Sequence, residues 1–516
     1  MNAESSKQEQ PPPFVEKLKT GIPGFDLIAE GGLPHSTCTL VAGTAGSAKT
    51  VFANQFLAKG IVEAQEAGVF VTFEESPAAI RKHMQGFGWT IENWEADNLW
   101  KFVDVSPVLG EKPVVTGEYD MAPVLARIQY AIETTQAKRV AIDSLGAIFT
   151  QLGDTALIRG DLFQLIGALR QLQVTAVLTA ERTEEYGDIA RYGVEEFVLD
   201  NVVILRNILE GEKRRRTIEI LKFRGTSHQK GEYPFTVLPR QGIEVIPLSA
   251  IQLQQQSSDI RIQSGINELD HMCGGGFFRD SIILTSGATG TGKTLMVTQF
   301  MGGGIEAGER CLLFAFEESQ DQLFRNASGW GIDFETESAN GHLRVVCRYP
   351  ETSGLEDHLI RMKEIIEDYQ PNRVAVDSLS ALERVSSEKG FREFVIGLTS
   401  FIKHRKMAGL FTATTPTLLG GASVTESHIS TITDSIILLR YVEMYGEMLR
   451  GITVLKMRGS KHDKEIREFT IDGTGMHIGM PFRNVTGILS GNFTYASSDE
   501  LNRLNNLFNE QSEMRE

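Results

Sequence analysis

GATGTGKT at 287–294 and GTAGSAKT at 43–50 are the two stretches on which the reading of this chain turns. The first is a complete G-x-x-x-x-G-K-[ST] phosphate loop. The second keeps Gly43, Lys49 and Thr50 but has Ala48 where the second glycine belongs. Such a loop works only between a strand and a helix, where successive backbone N–H groups and the helix N-terminus face the β- and γ-phosphates. The setting is right: TCTLVAG (37–43) reads as a buried strand and TVFANQFLAKGIVEA (50–64) as the helix after it. The nucleotide candidates are therefore Gly43, Thr44, Ala45, Gly46, Ser47, Ala48, Lys49, Thr50 and Val51 in one loop, and Thr289, Gly290, Thr291, Gly292, Lys293, Thr294 and Leu295 in the other. Lys49 and Lys293 supply point charges, and the hydroxyls of Thr50 and Thr294 are placed to ligate Mg2+. Ala48 is expected at the start of the helix with negative φ, where alanine is a good helix former.

Around these loops the halves align throughout. TGIPGFDLIAEGGLP (20–34) matches SGINELDHMCGGGFF (264–278), RVAIDSL (139–145) matches RVAVDSL (373–379), and DNVVILR (200–206) matches DSIILLR (434–440). KFRGTSHQKGEYPFTV (222–237) matches KMRGSKHDKEIREFTI (456–471). The last three pairs are 234 residues apart, whereas the loop lysines are 244 apart, so the first copy has about ten extra residues between Lys49 and Asp143. The chain divides into an arm (1–16), a first domain (17–250), a Gln/Ser-rich linker (251–260), a second domain (261–485) and a tail (486–516). Strands apolar on both faces alternate with helical stretches, which is the pattern of an α/β fold with a largely parallel sheet flanked by helices.

With 41% hydrophobic and 23% charged residues and no long apolar run, the composition is that of a globular cytoplasmic protein, and no membrane is expected as partner. Cys38, Cys273, Cys311 and Cys347 form no C-x-x-C pair, which favours reduced thiols over a disulfide frame or a zinc site. A net charge of −16 argues against a protein that coats nucleic acid.

Three further sets of residues recur. Glu74–Glu75 and Glu317–Glu318 end a strand 24–25 residues after each lysine, where one carboxylate of a pair can take a proton from a nucleophile attacking the γ-phosphate. Neighbouring side chains on a strand point opposite ways, so the two members of a pair are expected to act differently. Asp143 and Asp377 close apolar strands at the place where a carboxylate completes a Mg2+ shell. Lys222/Arg224 and Lys456/Arg458 alternate along a strand and have the pattern of cations that reach a neighbouring subunit's phosphate, which demands a closed ring.

The tandem phosphate loops, the two FEES stretches, RYGVEEFVLDNVVILR (191–206), KFRGTSHQKGEYPF (222–235), CGGGFFRDSIIL (273–284), ESHISTITD (426–434) and KMRGSKHDK (456–464) together resemble the KaiC family of circadian ATPases and autokinases. The resemblance spans residues 17–485 and implies tandem RecA-like P-loop NTPase domains in a homohexamer, with ATP between subunits. It implies a first ring that hydrolyses ATP and receives a KaiB-like protein, and a second that moves phosphate onto and off its own chain. By position it makes Ser430 and Thr431 the phospho-acceptors, Glu317 and Glu74 the general bases, with Glu317 also a metal ligand, and Trp330 a neighbour of adenine. It adds Lys222, Phe223, Arg224, Thr226 and His228, and Arg450, Lys456, Met457, Arg458, Ser460, Lys461 and His462, as ATP contacts, with Arg450, Lys456 and Arg458 contributed across the interface. Displaced by 234 residues, Ser430 and Thr431 fall on Glu196 and Phe197, so phosphorylation of the chain is expected in the second copy alone.

Lys461 stands where the family's clock member has tryptophan, and the tail YASSDELNRLNNLFNEQSEMRE (495–516) bears little resemblance to the segment that binds KaiA, which leaves a KaiA-like partner open. Leu501, Leu504, Leu507 and Phe508 space as one apolar helical stripe. Two other readings share the motifs: a RecA- or DnaB-like DNA motor, which the acidic charge disfavours, and a scaffold glued by ATP, for which Ala48 is the support. Binding of single-stranded DNA separates the first, and release of phosphate the second.

Overall fold

A strand that is apolar at consecutive positions must be covered on both faces, and this dictates a sandwiched sheet in each half of the chain. The computed structural model describes residues 15–106, 121–146, 155–190, 195–247, 257–415, 429–444, 446–483, 485–488 and 494–495. Most of the arm, the linker and the tail lies outside them. Contacts divide the chain between Ile251 and Gln252 into two compact units.

The first unit opens with a short antiparallel pair, β1 (Lys17–Leu18) and β2 (Leu33–Pro34). Its main sheet has nine strands: β3 (Cys38–Gly43), β4 (Gly68–Thr72), β5 (Trp100–Asp104), β6 (Arg139–Asp143), β7 (Thr175–Glu181), β8 (Asn201–Glu210), β9 (Lys213–Phe223), β10 (Glu232–Leu238) and β11 (Gly242–Val245). Their order is β11-β10-β9-β8-β3-β7-β6-β4-β5. Pairing is parallel from β8 to β5 and antiparallel from β8 to β11.

The second unit repeats this. A short pair, β12 (Arg261–Ile262) and β13 (Phe277–Phe278), precedes β14 (Ile282–Gly287), β15 (Cys311–Ala315), β16 (Leu343–Cys347), β17 (Arg373–Asp377), β18 (Ala408–Thr414), β19 (Ser435–Met444), β20 (Glu447–Met457), β21 (Arg467–Asp472) and β22 (Gly475–Pro481). The order is β16-β15-β17-β18-β14-β19-β20-β21-β22, strand for strand that of the first sheet. These are tandem RecA-like domains. The extra residues of the first copy fall between β5 and the helix Ala122–Thr135, where 17 residues stand against 7 between β16 and the helix Leu355–Tyr369.

Side-chain alternation sorts β3 into two cores: Leu40 and Ala42 pack on one face of the sheet and Val41 on the other. The helix Lys49–Ala64 lays Phe52, Ala53, Phe56 and Leu57 on the second face. The arginine that opens RVAIDSL is also structural. Arg139 is 3% exposed, pairs with Glu66 at 2.7 Å and donates to the Phe56 carbonyl; Arg373 repeats this with Glu309 and the Phe300 carbonyl. Cys38, Cys273 and Cys311 are buried free thiols that burial pushes up to about 12. No described helix is long and apolar enough to cross a membrane.

Candidate active sites

Each phosphate loop leaves the carboxyl end of a central parallel strand, β3 or β14, the end at which open α/β sheets bind ligands. Lys49 Nζ donates to the carbonyls of Gly43 (2.9 Å) and Thr44 (3.0 Å), and Lys293 Nζ to those of Gly287 (2.8 Å) and Ala288 (3.0 Å). Burial lowers the pKa of both lysines against the opposing pull of nearby carboxylates, Asp143 and Glu181 among them for Lys49 and Asp377 for Lys293.

The expectation for Ala48 is corrected. Its backbone is left-handed, at φ 72° and ψ 27°, like that of Gly292 at φ 103° and ψ 20°. It precedes the first helical residue and caps the helix, so helix propensity does not apply to it. An L-residue there is strained by about 1 kcal/mol. The methyl nevertheless has room. A β-carbon built on Gly292 meets the flexible ends of Ile471 (3.1 Å) and Met476 (3.4 Å), and Ala48 packs against the first domain's core.

The register of the parallel strands assembles the rest. Thr72 pairs with Asp143 and Ala315 with Asp377, so the glutamates following β4 and β15 emerge beside these aspartates. Thr50 Oγ1 donates to Asp143 Oδ2 at 2.8 Å, and Thr179 donates to the other oxygen. Thr294 and Thr412 do the same for Asp377, the former at 2.7 Å. Burial pushes both carboxyls up, against these hydrogen bonds and the neighbouring lysine. A hydroxyl and a buried carboxylate on one spot are hard oxygen donors. They suit a cation such as Mg2+ that keeps water and phosphate as its other ligands. No group of three or more His, Cys, Asp or Glu side chains placed to hold a metal ion occurs among the described residues.

The glutamate pairs lie just past their strands, not within them, in a turn ended by the helix caps Ser76 and Ser319. Even so, the members diverge. Glu74 accepts from Ser144 Oγ at 2.5 Å and Glu317 from Ser378 Oγ at 3.0 Å, which aims the first member at the aspartate strand. Glu317 also pairs with Arg384 at 2.6 Å. Glu75 faces His83 at 3.3 Å, and Glu318 accepts from Asn326 at 3.1 Å. Burial and the nearby Asp377 push Glu318 up.

The Lys-x-Arg residues are elsewhere. Phe223 pairs with Asn201 and Asn201 with Thr39, at the start of β3; Met457 pairs with Ser435 and Ser435 with Ile283, at the start of β14. They stand some four strand residues, roughly 13 Å, behind their own loop. Lys222 Nζ donates to the carbonyls of Glu196 and Leu199 (both 2.9 Å) and Arg224 to that of Phe197 (3.1 Å). Lys456 donates to the carbonyls of Ser430 (2.6 Å) and Thr433 (2.7 Å), and Arg458 to that of Thr431 (2.7 Å). Each contact recurs 234 residues on. Ser430, half-buried, and Thr431, exposed, form the 3-10 turn Ile429–Thr431 that this clasp holds. In the turn after each strand, His228 lies 5.4 Å from the Phe223 ring and Ser460 accepts from Arg261; Thr226 and His462 are half-buried and Lys461 exposed.

Arg450 does not share this end. It sits over Tyr441, whose hydroxyl lies 2.7 Å from a β-carbon built on Gly290, and so stands beside its own phosphate loop. Its repeat partner Arg216 donates to the Gly46 carbonyl at 3.2 Å. Arg216 carries no motif of its own, and only the 234-residue offset from Arg450 points to it in the sequence. Trp330 is half-buried against the cluster that contains Phe469 and Met476, an apolar shelf next to Gly292.

Fold and site define a double-domain P-loop ATPase. A family model for the KaiC ATPase matches residues 18–250 and again 262–482. The chain is 68% identical over 497 residues to the circadian clock protein KaiC3 of Synechocystis sp. (96% of this chain, 98% of that one). It is 54% identical to the circadian clock oscillator protein KaiC of Thermostichus vulcanus (97% and 96%), and 53% identical to that of Synechococcus elongatus (96% and 95%). The chain belongs to the KaiC family.

Proposed function

We propose that this protein is a homohexameric ATPase of circadian-type timing or related signalling that also phosphorylates and dephosphorylates itself. The first domain hydrolyses ATP and the second transfers phosphate to Ser430 and Thr431. The observation that carries the reading is the division of each site between the two ends of its sheet. Loop, aspartate and glutamates lie at the carboxyl ends of the strands; the Lys-x-Arg cations and the acceptor turn lie at the opposite end. One domain cannot bring both sets to one γ-phosphate, but copies placed head to tail can, and that arrangement closes as a ring.

In such an interface Lys293 and a Mg2+ ion on Thr294 and Asp377 hold the phosphates. Glu317 takes the proton of the incoming hydroxyl, and the neighbour's Lys456 and Arg458 meet the charge that spreads over the transferring group. Glu74, Thr50 and Asp143 do the same for water in the first domain. Adenine rests on the shelf beside Trp330. The reading includes a cytoplasmic location and a KaiB-like partner at the first domain, and leaves a KaiA-like partner open.

Incubation of the purified chain with ATP and Mg2+, followed by mass-spectrometric mapping, tests it. Phosphate is expected on Ser430 and Thr431, with free phosphate released. Hydrolysis without protein phosphorylation refutes the kinase half, and absence of both refutes the enzyme.

A further inference from the structure

Glu185 follows β7, and its carboxylate faces the first phosphate loop. Oε1 accepts from Thr44 Oγ1 at 2.6 Å, and Oε2 accepts from the Asn207 backbone N–H on β8 at 3.0 Å. The carbonyl of Glu185 accepts from Arg206 Nε at 3.1 Å. Upstream, the Arg182 N–H donates to the Gly43 carbonyl at 3.0 Å, and the Arg182 guanidinium turns back onto the carbonyls of Gly187 and Asp188, both at 3.0 Å. Residues 182–188 thus close on themselves and grip the loop at two consecutive residues, Gly43 and Thr44. The Asn207 side chain lies near the crown of the loop, since a β-carbon built on Gly46 would lie 3.0 Å from its Nδ2. The second domain repeats the upstream anchor, from the Thr415 N–H to the Gly287 carbonyl at 3.2 Å, and its segment beyond Thr415 lies outside the described residues.

A carboxylate is a costly neighbour for a loop that gathers phosphates, because unopposed it repels them. Here both oxygens are engaged, one of them by the loop. An ammonium has three N–H donors, and Lys49 gives two of them to the carbonyls of Gly43 and Thr44 within the loop itself. Glu185 adds a tie from outside to a loop that already bears the strain of Ala48.

We propose that Glu185 is a positioning residue of the first nucleotide site: by holding the Thr44 hydroxyl with one oxygen and the Asn207 backbone N–H with the other, it fixes the start of the loop in its phosphate-receiving form. The proposal rests on the reading that this site binds and hydrolyses ATP.

The test uses the full chain with Lys293→His, which silences the second site, and adds Glu185→Ala or Glu185→Gln. Both the KM for ATP and the Kd of a fluorescent ATP analogue are measured. Glu185→Ala is expected to raise both about tenfold, with kcat at saturating ATP changed less than about twofold. Glu185→Gln keeps the acceptor for Thr44 but sets an amide against the Asn207 N–H, and is expected to raise both about threefold. Thr44→Val added to Glu185→Ala is expected to cost nothing more, since the two act as one unit. Unchanged or tighter binding in Glu185→Ala, or full additivity with Thr44→Val, overturns the proposal. A loss confined to kcat does so too. If the Lys293→His parent hydrolyses no ATP, the reading of the first site falls, and the analogue's Kd still decides the role of Glu185. Thermal melting without nucleotide checks folding, and if Glu185→Ala fails to fold, Glu185→Gln carries the test.

Discussion

The residue before the phosphate-loop lysine has a left-handed backbone in both domains, as alanine at φ 72° in one and as glycine at φ 103° in the other. Glycine takes that conformation freely, whereas alanine is strained in it although its methyl finds room among core side chains. The chemistry-bearing groups of the first site are kept: lysine, threonine, aspartate and the first glutamate make the same contacts as in the second. The substitution is therefore a local cost in an otherwise intact site. Ala48→Gly should relieve it, stabilising the first domain by about 0.5–1 kcal/mol. For a domain of this size that raises its unfolding transition by about 2–4 °C in calorimetry. An unchanged or lower transition would show that the strain is not borne at this residue.

At the scale of the element, the turn between β4 and the helix capped by Ser76 separates two glutamates that are adjacent in sequence. Glu74 turns toward Ser144 and the aspartate strand, and Glu75 toward exposed His83. Glu74→Gln should lower first-site hydrolysis about 10²–10⁴-fold, the usual cost of a lost proton acceptor. Glu75→Gln should leave it within about threefold, because a surface pair of this kind contributes little. Phosphate release assayed in the Lys293→His chain compares them, and equal losses would remove the distinction. The divergence of the pair was legible in the sequence, but the reason given was strand alternation, whereas the pair lies past the strand and its two members follow different partners. The strands themselves were legible because runs such as TCTLVAG have no solvent-tolerant face. Ala48 was misread because position within the loop, not helix propensity, sets its φ. Glu185 and Arg216 went unseen because their contacts with the loop join segments 141 and 170 residues apart, and no local motif marks either one.

At the scale of the whole molecule, the repeat sets the phosphate loop and glutamates at one end of each sheet and the Lys-x-Arg cations at the other. Loop and glutamates follow the carboxyl ends of parallel strands, as in any open α/β sheet. The antiparallel hairpins β8–β9 and β19–β20 return the chain to the other end and deliver Lys222 and Lys456 there, clasped to the turn before β8 or β19. Only the second of these turns carries hydroxyls, Ser430 and Thr431, where the first has Glu196 and Phe197. The proposed ring therefore makes a strict demand: phosphate must pass between chains. Lys293→His removes the donor site but keeps the acceptor, and Ser430→Ala with Thr431→Ala removes the acceptor but keeps the site. Neither chain alone should incorporate label from γ-labelled ATP. Co-assembled, the Lys293→His chain should acquire label on Ser430 and Thr431, because its neighbour's Glu317 and phosphate loop reach its acceptor turn. If co-assembly leaves both chains unlabelled while wild-type chains label normally, transfer runs within a single chain, and the division of the site between the two ends of the sheet has been misread.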